Sequence, residues 1–181
     1  MKAELKSKII AILLKEKKKE YLCHIQYVVK IALSLAQELG VDISLIETAC
    51  WLHDIGRGRE LPGEKHAETG KRMAEEILRD TEFTEEQKQK IYSCILSHNS
   101  QTVPLSIEEQ IVRTADGGSK IEYHEAFMLL CRKETYEERL VWGIKYLEDG
   151  FSSISIDSYR RQIESKYVSI IGLYNNILRM I

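Results

Sequence analysis

Apolar residues recur three and four positions apart through almost the whole of this chain, and each run is bounded by a helix-capping or helix-ending signal. Leu5, Ile9, Ile12 and Leu13 set that spacing at the start. Ile25, Val28, Val29, Ala32, Leu35, Ala36 and Leu39 continue it in a second helix, which Gly40 can close in a left-handed conformation. Ser44 with Glu47 reads as a capping box opening a third helix, and Gly56 lies just past its expected end. The segment GRGRELPG, residues 56–63, is turn chemistry throughout and is expected to be a loop. A helix from about Glu64 to Arg79 follows, carrying Ala67, Gly70, Met73, Ala74, Ile77 and Leu78. Thr84 with Gln87, Ser106 with Glu109 and Thr135 with Glu138 open three more helices by the same capping logic, with a polar loop around Asn99 to Pro104. Gly150 is expected to end the penultimate helix. The last, from about Ser158, places Ile163, Tyr167, Ile170, Tyr174 and Leu178 on one face. FSSISI, residues 151–156, alternates weakly as a strand would, without an evident partner.

The expected fold is therefore all-α: one helical-bundle domain over residues 1–181, with no internal repeat, low-complexity tract or dividing linker. Pro62 and Pro104 are the only prolines, which leaves long stretches free to be helical. Apolar runs are too short and too often broken by Lys or Glu to span a bilayer, and MKAELKSKII lacks the pattern of a secretory signal, so a cytoplasmic protein without membrane partners is expected. A formal charge of −2 argues against gripping nucleic acid by bulk electrostatics. The basic cluster from Lys15 to Lys19, interrupted by Glu16, reads as a solvated helix end. Cys23, Cys50, Cys94 and Cys131 form no C-x-x-C pair and lie in apolar helical contexts, so they are expected to pack as small hydrophobes rather than bind metal.

Four of the five histidines occupy positions that suit a buried site. His24 precedes the apolar stripe Val28, Ala32 and Leu35, and His53 follows Trp51 and Leu52 and is itself followed by Asp54. His66 shares a face with Gly70, Met73 and Ile77, and His98 completes a series with Ile91 and Cys94. Asp116 follows Ile111, Val112 and Ala115 and precedes Gly117 and Gly118, which suggests a carboxylate at a helix C-terminus, as at Asp54 before Gly56. A desolvated carboxylate costs several kcal/mol (about 3–5) unless paired, and a helix C-terminus adds partial negative charge. A divalent cation would relieve both carboxylates at once, and imidazole with carboxylate suits zinc, iron, manganese or nickel. Trp51 is expected in the core, and His124 outside the site.

The order His24, then His53-Asp54 within LHDIG, then Asp116 within TADGGSK resembles the HD-domain superfamily of metal-dependent phosphohydrolases, over about residues 20–120. The resemblance implies a helical HD core there and one metal on His24, His53, Asp54 and Asp116; the C-terminal helices read at 121–181 lie outside it, and those beyond about residue 125 resemble no family. In binuclear members the HD aspartate bridges to a second ion. KHAETG at 65–70 and LSHN at 96–99 resemble the segments that hold it, which makes His66 and His98 the candidates. The implied cofactor is one or two divalent ions among Fe, Mn, Zn, Ni, Co and Mg.

The expected activity is hydrolysis of a small phosphorylated substrate, such as a nucleotide or other phosphate ester or anhydride, through a metal-activated water. Asp54, Arg57, His66 and His98 are the expected catalytic residues. Many relatives carry Lys where this chain has Arg57, which keeps the charge but not a tunable proton. Arg59 and Lys65 are weaker candidates for phosphate contact. No Gly-Tyr-Pro run follows LHDIG, which disfavours the cyclic-dinucleotide phosphodiesterase branch, while HAETG faintly resembles hydrolases of diadenosine tetraphosphate. Alternatives are a non-catalytic metal- or nucleotide-binding regulatory module and a binuclear-iron oxygenase. The apolar face of the last helix could complete the core or pair with a second copy in a homodimer.

Overall fold

A computed structural model describes the chain except for residues 17–18, 99–101 and 129–130, and the side chains of 16, 19 and 20. Nine helices and no strand occur among the described residues: α1 (Ala3–Glu16), α2 (Lys19–Leu39), α3 (Ile43–Leu52), α4 (His66–Leu78), α5 (Glu85–Ser97), α6 (Ile107–Glu122), α7 (His124–Met128), α8 (Tyr136–Ser153) and α9 (Asp157–Leu178). The all-α expectation is met. FSSISI is split between the last turn of α8 and an extended connector, so its weak alternation signals no strand.

Helix α6 is the axis of the fold and packs against α2, α3, α5, α8 and α9. Its Ile111, Val112 and Ala115 are fully buried, facing a core that includes Ile25 and Val28 of α2, Ile46 and Cys50 of α3, and Ile91 and Ile95 of α5. Ile163, Ile170 and Tyr174 of α9 are buried as their spacing predicts. Trp51 is in the core, with the Lys6 ammonium 5.1 Å from its ring centroid. Among the described residues no helix is long and apolar enough to cross a membrane.

Two helices run past glycines that the sequence suggested as ends. Helix α6 continues through Gly117 and Gly118 to Glu122, and α8 continues through Gly150 to Ser153. The reason is close helix approach. A Cβ on Gly117 would strike the Gly150 carbonyl and the Ser153 hydroxyl, and one on Gly118 would strike the Tyr159 ring. Helix-interior glycine costs about 1 kcal/mol relative to alanine, and close α6–α8 packing offsets that cost. Asp116 consequently sits inside α6, not at its C-terminus.

The cap of α3 also differs from expectation. Asp42, not Ser44, is the N-cap, and its Oδ1 accepts from the Ser44 and Leu45 amides at 2.8 and 3.1 Å. Glu47 instead accepts from Lys6 Nζ at 3.4 Å and the Met1 amine at 2.9 Å, linking α1 to α3. The boxes at Thr84 and Thr135 form as read, and Ser106 caps α6. Asp42→Ala is expected to destabilise the protein by about 1 kcal/mol, and Ser44→Ala by a few tenths. Urea unfolding of both variants checks this; a larger effect at Ser44 would reverse the assignment.

Candidate metal centre

Five segments bring the six predicted residues together. His24 comes from α2, His53 caps the C-terminus of α3 with Asp54 in the turn after it, His66 begins α4, His98 caps α5, and Asp116 comes from the middle of α6. All are buried except His66, whose side chain is 24% exposed and marks the mouth of the site. Two triads arise, His24–His53–Asp54 and Asp54–His66–His98, each with candidate ligand atoms within 4.8 Å of one another. Asp54 belongs to both.

The distances give each carboxylate oxygen a side. Asp54 Oδ2 lies 3.9 Å from His24 Nε2 and 3.7 Å from His53 Nε2, while its Oδ1 lies 3.7 Å from His66 Nε2 and 3.5 Å from His98 Nε2. Asp116 Oδ1 joins the first group, 3.2 Å from His24 Nε2 and 3.9 Å from His53 Nε2.

Backbone carbonyls set the ring orientations. His53 Nδ1 lies 2.7 Å from the Cys50 carbonyl and His98 Nδ1 lies 2.6 Å from the Ile95 carbonyl, each three residues upstream. A carbonyl can only accept, so both Nδ1 atoms carry protons and, in neutral rings, both Nε2 lone pairs face the site. Ser119 Oγ approaches His24 Nδ1 at 3.4 Å. Four imidazoles and two carboxylates crowded in this way repel one another unless protons or a cation sit among them. The donor set therefore fits a divalent metal, or two sharing Asp54.

Charged neighbours hold the carboxylates ionised. Burial pushes Asp54 upward, but His53, His98 and Arg57 outweigh it and hold the carboxyl well below its ordinary range. At Asp116, burial is likewise outweighed, by Lys120 and His24. Burial drives His53 down to about 4, and burial with Arg57 lowers His66. Burial opposes charge on His98 too, yet its hydrogen bond to Asp54 raises it.

These shifts give a signed expectation for metal-free protein. His53 and His66 titrate lower when folded, so the unfolded chain binds protons first and stability falls as pH drops below 6.5, continuing to about 4 for His53. The depressed aspartates extend the loss below the unfolded carboxylate value of about 3.9. His98 runs the other way, its stabilisation complete below 6.5 and lost as pH rises through its elevated value. In EDTA-treated protein the unfolding constant should rise between pH 6 and 4 by up to about tenfold per pH unit for each of His53 and His66. A stability that is flat or increasing on acidification over that window would contradict these signs.

Three neighbours were not singled out from sequence. The Tyr21 hydroxyl donates to Asp54 Oδ2 at 2.6 Å, and Lys120 Nζ lies 3.3 Å from Asp116 Oδ2. Tyr21 precedes His24 by three residues and Lys120 follows Asp116 by four, helical spacings that put each beside its ligand and could have flagged it. The third, Phe127 of α7, meets His24 edge-on with ring centroids 5.3 Å apart.

The cationic candidates separate. Arg57 is exposed, yet its Nη2 lies 3.0 Å from Asp54 Oδ1 and 3.5 Å from His66 Nε2. Arg59 donates to the Ile12 carbonyl at 2.8 Å, which anchors the loop to α1, and Lys65 is exposed at the start of α4. His124 lies outside both triads.

The cysteine expectation needs one correction. Cys50 and Cys94 are core residues, and Cys131 is partly buried. Cys23, however, is exposed, because it lies on the face of α2 opposite the stripe that carries Ile25 and Val28. The basic cluster reaches residues 17–19, so its reading as a solvated helix end lies outside the described residues. So do Asn99 of LSHN and the first part of the polar loop after His98.

Residues 21–118 match the HD-domain family, a span that starts at Tyr21 and ends two residues past Asp116. This chain belongs to the HD-domain family. Among proteins of known structure, an HD-superfamily hydrolase from Bacillus thuringiensis superposes with a TM-score of 0.73 at 20% identity, covering 98% of this chain and 94% of that one. Bacillus subtilis YpgQ in complex with ADP gives 0.68 at 17% identity over 98% and 93% of the two chains. An HD-superfamily hydrolase from an uncultured Thermotogales bacterium gives 0.58 at 26% identity over 87% and 91%. In sequence, ribonuclease Y of Treponema pallidum is 31% identical over 137 residues, 74% of this chain. The HD chain spans about a quarter of the length of that relative, 24%. Its helices past residue 121, which resembled nothing in sequence, are included in the superpositions that cover 98% of the chain.

Proposed function

We propose that this HD-domain protein is a metal-dependent phosphohydrolase acting on a nucleotide or another small phosphate ester or anhydride. The observation that carries the reading is the pair of histidine triads sharing Asp54, with Arg57 against its outer edge. In this reading His24, His53, Asp54 and Asp116 hold one cation, and Asp54, His66 and His98 hold a second. Divalent cations held there would acidify water to near-neutral pKa and neutralise charge on the phosphoryl group.

The chain's own residues do the rest. Asp54 spans the two halves and fixes their separation. The Cys50 and Ile95 carbonyls lock the His53 and His98 rings, so little reorganisation is needed when charge develops. Arg57 can fork onto a phosphoryl oxygen at the mouth, since its guanidinium is exposed and already faces the site. His66 is the more accessible of the two second-half histidines, and in a site that holds only the first cation its Nε2 is free to hand a proton to the leaving oxygen.

Similarity to ribonuclease Y supports a second reading, cleavage of a phosphodiester in RNA. The net charge of −2 favours the smaller substrate. The test is metal analysis of protein purified without added metal, followed by assays on ADP, diadenosine tetraphosphate, pyrophosphate and a short oligoribonucleotide, each with and without EDTA. The expected result is EDTA-sensitive release of phosphate or pyrophosphate from a small substrate. Faster cutting of the oligoribonucleotide would select the second reading. No hydrolysis with any of Mn, Fe, Zn, Ni, Co or Mg would sink both, and oxygen uptake by iron-loaded protein would point to an oxygenase.

A further inference from the structure

The phosphohydrolase reading leaves unexplained an aromatic path that leads away from the metal centre. Phe127, edge-on to His24, meets Tyr146 of α8 with centroids 5.2 Å apart, and Tyr146 lies nearly parallel to Trp142 at 4.9 Å and 14°. Trp142 and Tyr146 are four residues apart and so share one face of α8. Lys120 stands where this path meets the ligands, its ammonium 3.3 Å from Asp116 Oδ2 and 5.2 Å from the Tyr146 ring centroid.

We propose that Trp142 and Tyr146, with Lys120 at their inner edge, seat the nucleobase of a nucleoside phosphate whose phosphoryl group lies at the His24–Asp116 end of the metal centre. The proposal rests on the phosphohydrolase reading and adds to it the substrate's class and the residues that select it.

Core packing accounts for Phe127, which is buried. It does not account for Trp142 and Tyr146, which are only partly buried and lie outside the hydrophobic core. Nor does it require a lysine placed between a ligand carboxylate and an aromatic face. Together these features match a ligand that is flat and aromatic at one end and anionic at the other. Stacking on tryptophan and tyrosine accepts any base, because every base offers a π-face, and an ammonium at the junction suits the phosphate that follows. Tyr146 is electrostatically part of the site: burial, then Asp116 and Asp54, raise the proton affinity of its hydroxyl.

The experiment compares ADP with pyrophosphate, which lacks a base, by calorimetry on the Mn-loaded full chain. Trp142→Ala should weaken ADP binding by about tenfold or more, the effect of removing one base-stacking side chain, and leave pyrophosphate unchanged. Trp142→Phe keeps a stacking face and should retain ADP binding within about threefold. ADP should also quench the tryptophan emission of the native protein but not of Trp142→Phe, where the remaining Trp51 lies in the core. If Trp142→Ala fails to fold, Tyr146→Leu gives the same comparison.

Unchanged ADP affinity in the alanine variant, or equal losses for ADP and pyrophosphate, would overturn the subsite. Native protein that binds pyrophosphate as tightly as ADP would overturn it while leaving the phosphohydrolase reading intact. Native protein that neither binds nor hydrolyses either compound would remove both.

Discussion

Asp54→Ala should cost at least about a thousandfold in hydrolytic rate, together with most of the bound metal. Several kcal/mol of transition-state stabilisation come from metal ions in such sites, and each 1.36 kcal/mol is tenfold in rate, so about 4 kcal/mol gives the expected factor. Asp54 is the one residue common to both triads, so its removal disables both halves. Asp54→Asn keeps the shape and the acceptor for Tyr21 but discards the charge, and should fall nearly as far. Metal analysis, rate and thermal unfolding would be read together. Native protein should gain thermal stability on addition of Mn, by mass action on the folded state, and the alanine variant should not. Activity that survives while the metal is lost would end the metal-dependent account.

The second large effect is expected at Gly56, which lies between the two halves of the site. A Cβ built there would fall onto the His66 carbonyl and the Gly70 amide nitrogen, both backbone atoms that no rotamer change can move aside. Gly56→Ala must therefore push the start of α4 away from the turn carrying Asp54. Overpacking of this kind costs about 1–3 kcal/mol, and contact with backbone on both sides places this case at the upper end. The same displacement would carry His66 away from Asp54, so the second half of the site should lose affinity before the first. Urea unfolding and metal stoichiometry separate the two consequences. Native-like stability with two metals retained would show that the turn can yield.

How much of this was legible in the sequence differs from residue to residue. Helical spacing located every long helix, because a half-buried helix must repeat its apolar residues near every 3.6 positions wherever it lies in the fold. Helix ends were less legible where tertiary contact decides them. Gly117, Gly118 and Gly150 look like terminators, but they are the places where α6, α8 and α9 approach too closely for a side chain. Ser44 and Glu47 fit a capping box by spacing, yet Asp42 reaches the amides first and Glu47 is drawn to α1. The six candidate ligands were readable because they recur in a family pattern, and the structure brings all six together.

What lies around them was not readable. Tyr21 and Lys120 were overlooked although each is one helical turn from a ligand. The path from Phe127 to Trp142 could not be foreseen, because it depends on how α7 and α8 fold back onto the His24 side of the centre.

By itself the sequence determined an all-helical chain, its apolar faces and the donor chemistry available to it, since these follow from residue type and local periodicity. Only the tertiary structure decided the distances at which Asp54 stands between the two histidine pairs that the family pattern implies, and that an aromatic face adjoins one of them. Those facts are distances between segments up to about a hundred residues apart, and distances of that kind are set by packing rather than by spacing along the chain.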